Sequence, residues 1–474
     1  MMKNICTEFP EGGTMIIEKS LLSELLGIGL SSGADFAEVF AENTLQSQMS
    51  LMSGAVEEIS DRRIYGMGFR LLKGTRSVFA STSDMSRAGL IRCARRAAEA
   101  MGEIGEAQTV KLTERIFPDI HPVRMVPSSV SCADQAYLLH RACDSAKAYS
   151  GEIAQVQARL LNVDRNILVA NSEGLLTGDR QVRTRLSVNA VASNGAENQS
   201  GSSSPGARKG LELFDGITPE ETGREAARQA VTMLHAGYAP AGNMAVVIDN
   251  GFGGVIFHEA CGHSLEATSV ATGRSQFCGK LGETVASPIV TAIDDGTEPN
   301  SWGSNNIDDE GRPTQKLVLI ENGILKNYLI DRLGSRRMNM PPTGCGRREN
   351  YHYEPTSRMS NTYIAAGKDD PKEIIGSTES GLYAAAMGGG SVNPVTGEFN
   401  FAVREAYMIR NGEIAEPVRG ATLIGKGSEI LPKIDRVSSN LASAQGMCGS
   451  KSGSIPTNVG QPMIRVSSIT VGGR

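Results

Sequence analysis

The chain has 474 residues, long enough for roughly two to four domains that each bury a core. Hydrophobic residues make up 40% and charged residues 21%, and no stretch approaches the roughly 18 apolar residues of a membrane span, so no membrane partner is expected. A formal net charge of -5 and a pI near 5.8 exclude the basic footprint of a nucleic-acid binder.

The chain opens without a basic segment followed by an apolar one, so secretion is not expected. Glu11-Gly12-Gly13-Thr14 before Met15 is what a purine-rich ribosome-binding site read in frame would encode. Residues 1–14 are therefore expected to be a disordered tail or an extension ahead of a start at Met15. Eight cysteines, at 6, 93, 132, 143, 261, 278, 345 and 448, lack a compact framework spacing. A chain this long needs no disulfide staples, which points to a reducing, cytoplasmic compartment.

Leu21, Leu22, Leu25, Leu26 and Ile28 form an apolar stripe that predicts a helix over 16–30. Phe36 to Glu42, Gln46 to Leu51 and Tyr65 to Leu72 alternate as three short strands. Asp84 to Met101 and Ala133 to Tyr149 return to helical spacing, with Arg92, Arg95 and Arg96 on a solvated face of the first. Ile153 to Ala192 reads as hairpins; in Val182 to Ala192 the residues Val182, Leu186, Val188 and Ala190 share one face. The polar, Ser- and Gly-rich stretch 195–210 reads as a long exposed loop or hairpin tip. Thr218-Pro219-Glu220-Glu221 has the cap, the proline and the glutamate that open a helix, which should run to about His235.

Ala245 to Asp249 then reads as a short buried strand. The glycines of Gly251-Phe-Gly-Gly match neither phosphate-binding fingerprint and read as close packing. Beyond residue 315 strands dominate, at Lys316 to Glu321, Ile324 to Asp331, Phe399 to Arg410 and Ile464 to Val471. Asn322-Gly323 and Asn411-Gly412 are hairpin turns. The fold expected is α+β: an N-terminal α+β domain of antiparallel strands and helices over 15–215, then a predominantly antiparallel β domain over 216–474.

That second domain carries a helix with the segment His258-Glu259-Ala260-Cys261-Gly262-His263. Zinc hydrolases need neutral imidazole, thiolate or carboxylate ligands, an open position for water, and a carboxylate to take its proton. Two of the chain's six histidines and such a carboxylate, Glu259, fall within six residues here. The familiar motif spaces its histidines by four; five residues of ordinary α-helix would point the rings roughly 140° apart. A π-type bulge near Gly262 would bring them to one face. Without it, the segment is a helix with two ordinary polar histidines. A third ligand could be Glu266, one turn on, which could equally orient His263, or Cys448 on the glycine-bounded turn Gly446-Met-Cys-Gly449. His352 and Cys345 are more distant alternatives.

His258-Glu-Ala-Cys-Gly-His-Ser-Leu-Glu266 resembles the H-E-x-x-x-H segment of the TldD/PmbA family, often labelled modulators of DNA gyrase. The likeness extends through Tyr353 to Asn361, Gly388 to Phe399, the tail from Gly446, Tyr65-Gly-Met-Gly-Phe-Arg and Phe79 to Asp84, nearly the whole chain after Met15. It implies a cytoplasmic zinc peptidase of the TldD type, with His258, His263 and Cys448 as ligands and Glu259 as general base. It also implies unfolded peptide substrates, and a homodimer or a heterodimer with a PmbA/TldE-like subunit. The tail departs from the family: Cys448 is followed by Gly-Ser-Lys-Ser-Gly-Ser rather than a Lys-x-Gly-Gln run. His352, Arg358 and Asn361 are candidates for binding substrate, or for hydrogen bonding within a polar loop. The alternative function is a non-catalytic, protein-binding regulator with structural zinc.

Overall fold

Apolar alternation between Phe36 and Leu72 builds two long strands rather than three short ones. The computed structural model describes residues 17–106, 108–393 and 395–474; the suggested start at Met15 and the segment before it lie outside the described residues. Strands β1 (Phe36–Met52) and β2 (Ala55–Lys73) pair antiparallel across a turn whose Ser53 and Gly54 both have positive φ. Between Glu42 and Gln46, Asn43, Thr44 and Leu45 continue the ladder. Strand β3 (Arg76–Thr82) pairs with β2, and one hairpin supplies β4 (Ile153–Asn171) and β5 (Leu175–Ser193).

The sheet runs β3-β2-β1-β4-β5, and β6 (Asn198–Ser203) adds to β5. Helices α1 (Lys19–Leu30) and α2 (Arg87–Met101) cover one end, burying Leu22, Leu25, Leu26, Leu90 and Ala94 against Val39 and Phe69. Helices α3 (Cys132–Lys147) and α4 (Pro219–Leu234) cover the other, burying Leu139, Ala142, Ala227 and Ala230 against Leu160, Leu186 and Val188. The Thr218 hydroxyl caps α4, accepting from the Glu221 N–H at 3.2 Å. The 195–210 stretch is thus only partly loop. Its small residues let β6 lie against α4, where a Cβ on Gly201 would stand 2.2 Å from the Ala226 carbonyl oxygen.

The second half is largely antiparallel. Its strands include β7 (Gly242–Ile248), β8 (Ala292–Asp295), β9 (Lys316–Glu321), β10 (Asn361–Ile364), β11 (Ser380–Val392) and β12 (Glu398–Arg410). They continue with β13 (Glu413–Arg419), β14 (Thr422–Lys426), β15 (Ala442–Ser450), β16 (Gly453–Gln461) and β17 (Ile464–Gly472). Five of them close a barrel in the order β11-β7-β17-β14-β12, with β12 returning to β11. A second sheet runs β9-β8-β10-β16-β15 and leaves β15 at its edge. The β7–β11 and β10–β16 pairs are parallel. Both Asn-Gly turns have positive φ at both residues, as their hairpins require. The strand expected over Ile324 to Asp331 stops at Leu325; Tyr328, Leu329 and Ile330 continue as buried extended chain, with Leu329 bridged to Glu266.

A helical segment, residues 251–265, threads through the core of this half and buries Phe257, Ala260, Cys261 and Leu265 with Leu319, Ile364, Phe401 and Ile464. Its opening glycines serve close approach. A Cβ on Gly254 would lie 2.4 Å from the Gly460 oxygen of β16, and one on Gly253 would lie 2.5 Å from the Gln461 side chain. The segment is therefore seated on β16, whose other neighbour is β15, the strand that carries Cys448.

Candidate metal centre

From His258 to Gly262 the segment widens to a π turn, and the N–H of His263 donates to the carbonyl of His258, five residues back. The bulge inferred from the spacing is present. It brings the two rings to one side, with centroids 5.2 Å apart and planes at 88°. Gly262 itself is ordinary right-handed helix, so the turn does not use its conformational freedom. Glycine is needed for another reason: a Cβ there would stand 2.1 Å from the sulfur of buried Met359.

Cys448 meets the rings from β15, within a strand paired to Ile455 rather than on the tight turn expected; the turn comes later, at Lys451 and Ser452. Its Sγ lies 3.2 Å from His258 Nε2 and 3.2 Å from His263 Nε2. The three donor atoms lie within 4.8 Å of one another, and all three residues are buried. A tetrahedral ion with nitrogen near 2.05 Å and sulfur near 2.3 Å would hold N and S about 3.5 Å apart, so these donors fit such an ion with little movement. Burial alone would raise the Cys448 thiol, but His258 and His263 outweigh it and hold the thiol well below its ordinary value. Burial alone would lower His263; Glu266 and then Cys448 hold it well above. The donor set is already polarised towards thiolate.

Glu266 is not among the three clustered donors and pairs with His263 instead. Its Oε1 lies 3.2 Å from His263 Nδ1, which leaves Nε2 to face the cluster. Glu259 stands on the open side, about a quarter exposed, with Oε2 3.7 Å from His263 Nε2. It borders a cleft of about 530 Å³ shared with Gly390, Ser391, Gly449 and Lys451.

The other candidates separate. Arg358 is fully buried and donates to the Cys448 carbonyl at 2.5 Å, the Ser452 hydroxyl at 2.9 Å and the Gly453 carbonyl at 3.0 Å. Its Nε lies 3.8 Å from Glu266, so it braces the ligand-bearing strand. Asn361 is buried too. From the start of β10 it donates to the Asp295 carbonyl and the Ser304 hydroxyl and accepts from the Gly303 N–H. His352 is exposed, stacks on Tyr351 and meets Ser81 at 3.2 Å. Cys345 is buried beside Thr343, and burial pushes its thiol well up. One residue escaped the sequence reading. Asp294 on β8 is buried close enough to feel the charge of His258, and burial lifts its carboxyl to about 6 against the hydrogen bonds of Ser360 and Thr362. A buried strand Asp carries no local signature.

Two helical histidines, a strand cysteine and a flanking carboxylate on an α+β scaffold define a candidate metalloprotein with one open side. Family models described as PmbA/TldA metallopeptidase domain 1, central domain and C-terminal domain match residues 37–100, 126–234 and 241–473. A protein named metalloprotease TldD homolog from Haemophilus influenzae is 37% identical over 452 residues, 93% of either chain. A metalloprotease from Methanothermobacter thermautotrophicus is 32% identical over 97% of this chain and all of its own. The chain belongs to the PmbA/TldA metallopeptidase family. TldE from Thermococcus kodakarensis shares the fold, with a TM-score of 0.75 at 20% identity over 96% of this chain and 100% of its own.

Proposed function

We propose that this chain is a zinc-dependent peptidase that hydrolyses unfolded or extended peptides. The observation that carries the reading is the convergence of His258, His263 and Cys448 on one point, with Glu259 on its open side. Two imidazoles and a thiolate suit zinc, and three protein donors beside a free carboxylate favour a catalytic over a structural site. The names of the relatives support peptidase activity.

When bound, the ion would acidify a water in its open position and polarise the scissile carbonyl. Glu259 accepts the proton of the attacking water and delivers it to the leaving amine. Glu266 fixes the ring of His263, and Arg358 fixes the backbone of Cys448. A sheet edge of the β-rich half would align an extended peptide through main-chain hydrogen bonds, a mode that favours unfolded chains and reads side chains weakly. In this reading residues 15–215 form the N-terminal α+β domain and 216–474 the peptidase domain, with α4 at the seam packed back onto β5 and β6. The reading includes a dimer, with a second copy or a PmbA/TldE-like subunit, as the family resemblance implies. A reducing cytoplasm suits the seven described cysteines, all of them free.

The test is cleavage of an unfolded peptide by purified protein, with and without a chelator. Cleavage should vanish on chelation, return with zinc, and be absent in Glu259→Ala while zinc stays bound. Undiminished cleavage by that variant sinks the reading; partner binding without any hydrolysis would favour the regulator.

A further inference from the structure

A second cleft, of about 470 Å³, shares two walls with the one at the metal centre. On β15, Ala444 and Gln445 line it where Gly449 and Ser450 line the first; on β11, Ala385 to Met387 take the place of Gly390 to Val392. From Cys448 back to Gln445 is three residues, about 10 Å of strand.

Arg185 of β5 and Arg404 of β12 both line this second cleft, and no Asp or Glu among the described residues does. Arg185 donates to the Ser204 and Gln445 carbonyls, each at 3.2 Å, and Arg404 to the Ser202 hydroxyl at 2.6 Å. Neither has a carboxylate partner among the described residues, whereas Arg228 and Arg419 nearby hold Glu225, Glu405 and Glu197.

Both guanidiniums are placed by built features. Ala386 pairs with Glu405 and Met387 with Val403, so Arg404 is the extra residue of a β-bulge, a device that re-aims a side chain. Arg185 lies 5.6 Å from the Trp302 ring, and Trp302 is tied to the Gly446 carbonyl of β15 at 2.9 Å. Burial, and then the charge of Arg404, hold Arg185 below its ordinary value, while Arg404 stands exposed at the cleft. Two positive charges kept together without a counter-charge match an incoming anion.

We infer that Arg185 and Arg404 form a carboxylate-binding subsite that anchors a carboxyl group of the bound peptide about three residues from the scissile bond. The inference rests on the peptidase reading. The carboxyl can be the peptide's C-terminus or an Asp or Glu side chain, which present the same chemistry.

The test is fluorescence-anisotropy binding to the full-length, zinc-loaded Glu259→Gln protein, so that turnover does not interfere. Three N-terminally labelled hexapeptides are compared: a free acid, its C-terminal amide, and an amide with Asp at the last position. The free acid should bind at least about tenfold tighter than the plain amide. Arg404→Gln, or Arg185→Gln if the first disturbs the bulge, should bring the two within about twofold by weakening binding of the acid. An Asp-amide that binds like the acid identifies side chains as a source; one that binds like the plain amide identifies the C-terminus. Equal binding of acid and amide, binding of neither, or discrimination that survives both substitutions would overturn the subsite. Discrimination by a protein whose wild-type form cleaves no peptide would uphold the subsite and overturn the peptidase reading alone.

Discussion

Cys448 Sγ stands 3.2 Å from each of two imidazole nitrogens, and the expected consequences at residue scale follow from that pairing. Cys448→Ser should strip zinc from the purified protein, measured by elemental analysis, because a neutral hydroxyl is a poor substitute for a thiolate. Glu266→Gln should weaken zinc roughly 10- to 100-fold without unfolding the chain, since it loosens the ring of His263 rather than removing a donor. Protons compete with the ion at the same nitrogen. Because His263 is held well above an ordinary imidazole in the metal-free chain, zinc affinity should fall with pH from a point above 6.5. The lowered Cys448 thiol does not set that point, because it remains thiolate as His263 gains its proton. Calorimetric titration across pH would show it, and a flat profile between pH 6 and 8 would contradict the assignment. At this scale the sequence exposed His258, Glu259 and His263 through their adjacency. It could not choose between Glu266 and Cys448, because a side chain nearly two hundred residues away is brought in by sheet pairing alone.

At the scale of the element, the five-residue spacing forced a departure from the α-helix, and the π turn supplies it. The reason for Gly262 was not legible in the segment. Its missing Cβ makes room for Met359, which comes from another part of the chain and is fully buried. Gly262→Ala should therefore destabilise the fold by about 1–3 kcal/mol and displace the second histidine, lowering zinc content as well. Pairing it with Met359→Ala should recover part of the zinc content, which a purely conformational role for the glycine would not allow. The merging of two expected strands into β1 has a similar origin. Asn43 is a weak strand former locally, but pairing with both β2 and β4 holds it in the ladder.

Across the whole molecule, the N-terminal sheet is joined to the metal-site half by buried charge. Arg70 bridges Glu38 and Glu310, and Arg348 holds Glu38 from the other side, all four fully or nearly fully buried. Arg348→Met should destabilise the protein by roughly 3–5 kcal/mol in denaturant titration, because it leaves Glu38 short of a partner inside the seam. The same seam holds acids that resist ionisation. Burial, then the charge of Glu310, push Asp308 up to about 8 and Asp331 up to about 7. Their folded pKa values lie above the ordinary carboxylate range, so their stabilising protons are fully present below about pH 4 and are lost as pH climbs through 7 to 8. Thermal midpoints should thus fall between pH 6 and 8.5, and Asp331→Asn, which keeps the helix cap to Gly334, should make that fall shallower. A midpoint that rises over this range would contradict the burial argument.

The sequence alone determined the α+β class, the helices of the N-terminal half with the Thr218 cap, both Asn-Gly hairpins and the need for a bulge at 258–263, because each depends on period, turn chemistry or spacing within a few residues. Tertiary structure alone decided that Arg358 and Asn361 are buried in internal hydrogen bonds, that Asp294 sits near His258, and that Arg404 is the extra residue of a bulge. These depend on which distant strands become neighbours, and a one-residue change of register would send every such side chain to the opposite face.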